Sequence, residues 1–316
     1  MIFCLSRNFF RLIISVLLIT NIEIYSQLMS LAEKQTDPIK KEKLLTQDIR
    51  ELKKAKLLKV EERTRFLHYN PDGSFSSQKI LAEKVYFDKN GNKIEHINLK
   101  SDSLLENRQT FQYDSLGHLI LTEYYNENDF VIGRRHSKYD ILGREVERRI
   151  YEAKAKGEGR AEMKYNDDNL LDELITYRPN GKILTIIKMY YKDGRLVSFE
   201  SQDHNRNVID KSLLFYDNDG NIISETITNN KDSATVYYEY NSDGYLVKIK
   251  YTDATRYMDY NQNGDLIEDK QIYHTGETEF KLRFSYYENG LMKESIRYSS
   301  DDKPTFYSIY EYEFYK

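Results

Sequence analysis

The chain has 316 residues, 31% charged and 13% aromatic, with 28 Tyr, 14 Phe, no Trp, 14 Gly, 4 Pro and 1 Cys. The many aromatics exclude a disordered chain, the scarcity of Gly and Pro excludes a collagen, and a lone cysteine excludes a disulfide scaffold. A formal net charge of -4 lacks the basic excess that a nucleic-acid partner would call for.

In chain order, residues 1–26 come first and read as a signal peptide. Arg7 and Arg11 precede an apolar run from Leu12 to Ile19 broken by Ser15, and Ser26 supplies the small residue for cleavage. The run is about half the roughly 20 apolar residues that a membrane helix requires, so no stable span is expected after cleavage. Cys4 lies ahead of the run, where a lipid-modified cysteine is not found, and it would leave with the signal. A cysteine nucleophile or thiolate metal site would leave with it.

Residues 27–58 are expected to be a short N-terminal helical segment. Asp37 and Pro38 supply an N-cap with proline at the first helical position. Leu45, Ile49, Leu52 and Ala55 then recur at helical spacing. The Lys-rich remainder makes it an amphipathic helix over one end of a sheet, with a membrane-surface or partner helix as the alternative.

Residues 59–316 repeat one motif: an aromatic, then three residues rich in Asp and Asn, then glycine four places after the aromatic. It is readable at Gly73, Gly91, Gly117, Gly143, Gly181, Gly194, Gly220, Gly244, Gly264 and Gly290, each with Tyr or Phe four residues earlier. Eight of these ten follow Asn or Asp directly. Gly91, Gly117 and Gly143 are 26 residues apart, and later steps of 12 or 13 run through Asn169 and Asn207, read as stand-ins for glycine. The unit of about 13 residues is one strand and one turn, and 26 is a hairpin.

Backbone geometry explains the choice. A tight antiparallel connection needs a residue at positive φ, which Gly and then Asn adopt at least cost, and a preceding Asp or Asn bonds back to the local backbone. Between turns the residues alternate, as in Tyr245, Val247, Ile249 and Tyr251 against Leu246, Lys248 and Lys250. The aromatics before each glycine would then line one end of alternate strands as a cross-strand ladder. The expected fold is all-β: an elongated, curled antiparallel meander of about 20 strands. In an open meander Ser308 to Phe314 would be an unpaired edge guarded by its glutamates.

TyrAspSerLeuGlyHisLeu at 113–119 and TyrAspIleLeuGlyArg at 139–144 resemble the YD repeats of the RHS family, and more distantly MORN-type hairpin repeats, whose glycine-rich, Trp-containing core is absent here. The resemblance covers the chain from about Tyr69 onward. It implies a curled β-shell and, from the family, either encapsulation of a toxin or a surface role in contact, adhesion and carbohydrate binding. This chain is too short to wrap a cargo domain, which leaves a scaffold or binding role.

No catalytic pattern accompanies the repeat. The six histidines, at 68, 96, 118, 136, 204 and 274, have no metal-ligand spacing, and no nucleophile elbow, phosphate loop or dinucleotide fingerprint occurs. AspAsnAspGlyAsn at 217–221 has its glycine fourth rather than sixth and Thr228 at the twelfth place, so it reads as a turn and not a calcium loop. No metal or cofactor is expected. Tyrosines serve strand packing first, but a functional aromatic face would draw on Tyr237, Tyr238 and Tyr240, or Tyr286 and Tyr287. The expectation is an exported, non-enzymatic binding or scaffold protein of the bacterial envelope, periplasm or surface, engaging a glycan or a protein. The alternatives are a partner or immunity protein of a secreted toxin, and a polysaccharide hydrolase using paired carboxylates.

Overall fold

The computed structural model describes residues 57–69, 75–153 and 157–315, with side chains from residue 80 onward. The expected signal peptide, the helical residues up to 56 and the turn at Gly73 lie outside these. Residues 57 to 59, expected at the end of the helical segment and the start of the repeat, belong to a strand.

Twenty strands follow one another with no helix among the described residues. They are β1 (Leu57–Tyr69), β2 (Phe75–Phe87), β3 (Lys93–Leu99), β4 (Leu105–Tyr113) and β5 (Leu119–Tyr125). Then come β6 (Val131–Tyr139), β7 (Glu145–Glu152), β8 (Glu158–Tyr165), β9 (Leu171–Tyr177) and β10 (Ile183–Lys192). Next are β11 (Arg195–Gln202), β12 (Val208–Tyr216), β13 (Ile222–Asn229), β14 (Ser233–Tyr240) and β15 (Leu246–Lys250). The chain finishes with β16 (Ala254–Tyr260), β17 (Leu266–Tyr273), β18 (Thr278–Tyr286), β19 (Met292–Tyr298) and β20 (Pro304–Phe314).

Each strand pairs antiparallel with its sequence neighbours, the meander expected from the repeat. The ladder also returns to its start: β1 pairs with β2 on one side and with β20 on the other, Thr64 opposite Ser308. The exposed edge expected at Ser308 to Phe314 is therefore paired, which removes an edge liability. The Tyr315 hydroxyl adds a bond of 2.7 Å to the Phe87 carbonyl across this seam.

The cause of the curl is local. Where each even strand from β2 to β18 meets its successor, the register shifts at the terminal aromatic, as at Tyr113, Tyr139, Tyr165, Tyr216 and Tyr286. A bulge bends its strand and increases its twist. Shifts occur at most of the opposite pairings too, as at Leu99, Tyr125 and Tyr298, and together they curl the wall.

The two faces of the wall differ in chemistry. On β6, Gly133 and Ser137 are buried while Ile132, Arg134, His136 and Lys138 are exposed. The face carrying Ser137 is called inner below, and the other outer. The inner face of β8–β13 is an apolar cluster of Ala161, Met163, Leu171, Leu174, Ile187, Met189, Leu196, Phe199, Leu214 and Ile222, and a smaller one forms around Val236, Ile249 and Met258. β9 and β10 are buried on the outer face too, where Ile186 is only 1% exposed. Elsewhere the outer face carries cross-strand ion pairs, among them Arg134–Glu123, Lys211–Glu200, Lys248–Glu239 and Arg283–Glu268, and exposed apolar side chains on β12–β14, Leu213, Phe215, Ile223 and Tyr237.

Candidate functional site

The aromatic signature residues form a stitched rim. At the end of every even strand from β4 to β20 a tyrosine hydroxyl donates to the carbonyl at the start of the preceding strand, as in Tyr113 to Lys93, Tyr165 to Glu145 and Tyr216 to Leu196 at 2.6–2.9 Å. Tyr139, Tyr191, Tyr240, Tyr260, Tyr286 and Tyr312 complete the series. Donor and acceptor lie 20 residues apart in most repeats, falling to 14 for Tyr260, where β15 is shortest. Each bond contributes roughly 0.5–1.5 kcal/mol. Burial raises the phenols of Tyr216, Tyr260 and Tyr286 to about 12, which keeps them protonated as donors.

The turns of this rim are clamped by the residue after the tyrosine. Asp114 Oδ1 accepts from the backbone N–H of Leu116 and His118, and Asp140 Oδ1 from Leu142 and Arg144. The backbone bond from His118, with that of its ring, holds the Asp114 carboxyl below its usual range. The residue after the glycine then lies on the next tyrosine: His118 stacks on Tyr139 at 4.7 Å, Arg144 lies over Tyr165 at 4.4 Å, and Tyr245 stacks on Tyr260 at 5.0 Å. That same residue roofs the next glycine, since a Cβ on Gly143 would lie 2.9 Å from His118 Nε2 and one on Gly264 would collide with the Tyr245 hydroxyl. The contact is thus tyrosine to carbonyl and tyrosine to post-glycine side chain, rather than tyrosine to tyrosine throughout.

Three positions depart from the sequence expectation. Tyr177, four residues before Gly181, belongs to the opposite rim and donates to Glu162. Tyr190, four before Gly194, points outward and donates to Glu200, while Tyr191 makes the stitch. The reason is the two-residue turn Asp193–Gly194, with φ of 52° and 76°, which shifts the motif by one place. Asn169 does take the glycine conformation, at φ 63°, but Asn207 does not: Arg206, at φ 65°, holds that place and Asn207 is the post-glycine residue bonded to Asp203. The segment 217–221 is a turn, Asp217 accepting from both the backbone and side-chain nitrogens of Asn221 at 2.7 Å.

The candidate aromatic face is divided by the wall. Tyr237 is outward and 53% exposed, and Tyr287 is 38% exposed with its hydroxyl on the Tyr310 carbonyl. Tyr240 and Tyr286 are stitching residues. Tyr238 is on the inner face beside Glu225, where burial pushes its phenol far up. The five do not form one surface.

Sequence reasoning missed a polar inner face over β2–β7, because its residues carry no motif. Lys93 lies 3.1 Å from His96 Nδ1, and His96 Nε2 pairs with Glu83. Further round, Glu145 Oε1 accepts from Ser137 at 2.5 Å and from Arg148 Nε at 2.9 Å, and its Oε2 from Arg148 at 2.5 Å. Burial alone would raise the Glu145 carboxyl, but the bonds and charge of Arg148 hold it below its usual range. Among the described residues no three His, Cys, Asp or Glu converge as a metal site.

No family description and no curated protein matches this chain. Among solved structures, it is similar to the porin-like protein from Bacteroides uniformis ATCC 8492, at 10% identity and a TM-score of 0.37, over 82% of this chain and 97% of that one. It is also similar to the porin-like protein from Bacteroides vulgatus ATCC 8482, at 12% identity and a TM-score of 0.29, over 81% and 98%. A third likeness is to TcdB2-TccC3 without its hypervariable C-terminal region, at 12% identity and a TM-score of 0.31, over 76% of this chain and 17% of that one. At those scores the likenesses assign nothing beyond the β-repeat character already visible in the strands.

Proposed function

We propose that this chain is an exported, non-enzymatic β-repeat scaffold of the YD type that presents its outer face to a glycan or protein partner at the bacterial envelope or surface. The observation that carries the reading is where the repeat spends its polar groups. The rim tyrosines and clamp aspartates bond the chain's own backbone, so the repetition builds a stiff wall. Its outer face carries charged pairs and the exposed ring of Tyr237. Many weak contacts along such a wall add up when the partner is itself a polymer. The signal-like residues 1–26 support export.

The test is retention of the full chain on immobilised envelope polysaccharides. Retention without change in the polymer, weakened by Tyr237→Ser, is the expected outcome. Release of shortened polymer would replace the reading with a hydrolase. Absence of retention on every glycan, with one stoichiometric protein partner recovered instead, would replace it with a partner protein.

A further inference from the structure

We propose that the inner face of β5–β7 holds a small oxyanion, of the phosphate or carboxylate class, on the guanidinium of Arg135. The argument begins with a charge imbalance. Arg135 and Arg148 are 18% and 8% exposed, and both approach the single carboxylate of Glu145. That carboxylate is already taken: Arg148 binds both of its oxygens, and Ser137 donates to one of them. Arg135 is left at 3.9 Å, beyond hydrogen-bond reach.

The other surroundings of Arg135 do not neutralise it. In register beside it are Thr122 on β5 and Ile150 on β7. The remaining acid of that face on β5–β7, Glu152, is exposed at the end of β7 and makes no ion pair with it. Arg135 Nε is fully buried with no hydrogen-bond partner among the described residues. A buried guanidinium nitrogen without an acceptor is costly, and the five donors of the planar fork match an oxyanion. The buried hydroxyl-bearing Thr122 and Ser137 flank the position. An anion here gives Arg135 the acceptor that Glu145 does not supply.

Isothermal titration of the full chain with inorganic phosphate, and separately with acetate, in low-chloride buffer at fixed ionic strength tests this. Saturable one-site binding of at least one anion is expected, weakened at least tenfold by Arg135→Gln, partly restored by Arg135→Lys and unchanged by the outer-face Arg134→Gln. The stronger anion tells phosphate from carboxylate chemistry. Should Arg135→Gln fail to fold by circular dichroism, Thr122→Val on the same site takes its place. Absence of saturable binding of both anions, or equal binding by the folded Arg135→Gln variant, overturns the proposal.

Discussion

The wall over β2–β7 and the wall over β8–β13 share a rim and differ in what they enclose. Both carry the tyrosine stitch, the Asx clamp and the bulge, at Tyr113 and Tyr139 on one side and Tyr165 and Tyr216 on the other. Behind the second lies a continuous apolar cluster. Behind the first lie Glu83, Lys93, His96, Arg135, Glu145 and Arg148, joined by ion pairs and hydrogen bonds. The difference teaches that the repeat specifies the backbone and leaves the inner face open to other uses. Apolar burial stabilises by roughly 25 cal/mol per Å², whereas buried ion pairs contribute little net stability once desolvation is counted. Apolar stabilisation is therefore concentrated in β8–β13, and polar groups in β2–β7.

The largest effect that would break this comparison is a core truncation on each side. Leu174→Ala, in the apolar cluster, is expected to cost about 2–5 kcal/mol. Phe111→Ala, on the half-buried polar side with the Lys93 ammonium 5.2 Å from its ring, removes more atoms yet is expected to cost about 1–2 kcal/mol, because less of its area leaves water. Urea midpoints of the two variants measure this. Equal losses would mean that the sides are not energetically distinct.

The sequence made the shared part of this comparison legible and hid the rest. Glycines at fixed distance from an aromatic reveal turns, because positive φ is a demand few residues meet. Even so, Arg206 holds that place in one turn, since the Asx clamp at Asp203 fixes the loop without glycine. The one-place shift at Tyr191 was hidden for a related reason: the clamp is absent from the two-residue turn at Asp193–Gly194, so counting back from glycine lands on the wrong tyrosine. Closure was not legible because pairing of β1 with β20 joins residues 240 or more apart, which no local pattern encodes. The Arg135–Glu145–Arg148 group is assembled across β6 and β7 from residues that read, one at a time, as ordinary alternating strand positions.

The shared rim can be tested with paired glycine substitutions, one pair in the turns of β4–β7 and one in the turns of β14–β17, beyond the larger apolar cluster. Gly143 and Gly264 sit under His118 and Tyr245, whereas Gly117 and Gly244 have open space, and all four have φ between 75° and 86°. Alanine at any of them is expected to cost about 1–3 kcal/mol for the left-handed backbone. Gly143→Ala should exceed Gly117→Ala, and Gly264→Ala should exceed Gly244→Ala, by the cost of displacing the roof. The excess at Gly264 should vanish in a Tyr245→Ala background, a coupling that a double-mutant cycle reads directly. If an excess appears at one pair only, the rim is not one repeated device.

The smallest effect separates the two sides by pH. Tyr216→Phe keeps the ring and removes the bond to Leu196, for a loss of about 0.5–1.5 kcal/mol at neutral pH, and Tyr139→Phe should lose a similar amount through Leu119. Their titrations then differ. The folded-state phenol of Tyr216 is raised by burial from 10.0 to about 12, so folding holds its proton more tightly than the unfolded chain does. Its contribution is fully present below pH 10 and is lost as pH rises through 10 toward 12, because unfolding then releases a proton that the folded state retains. Tyr139 is raised by burial too, partly offset by the charge of Arg135. Urea midpoints measured from pH 8 to 11.5 should accordingly fall for the native chain, and Tyr216→Phe should flatten that fall more than Tyr139→Phe. Identical flattening would show that the polar inner face buries its rim tyrosines as effectively as the apolar one, and the contrast between the two sides would then stop short of the rim.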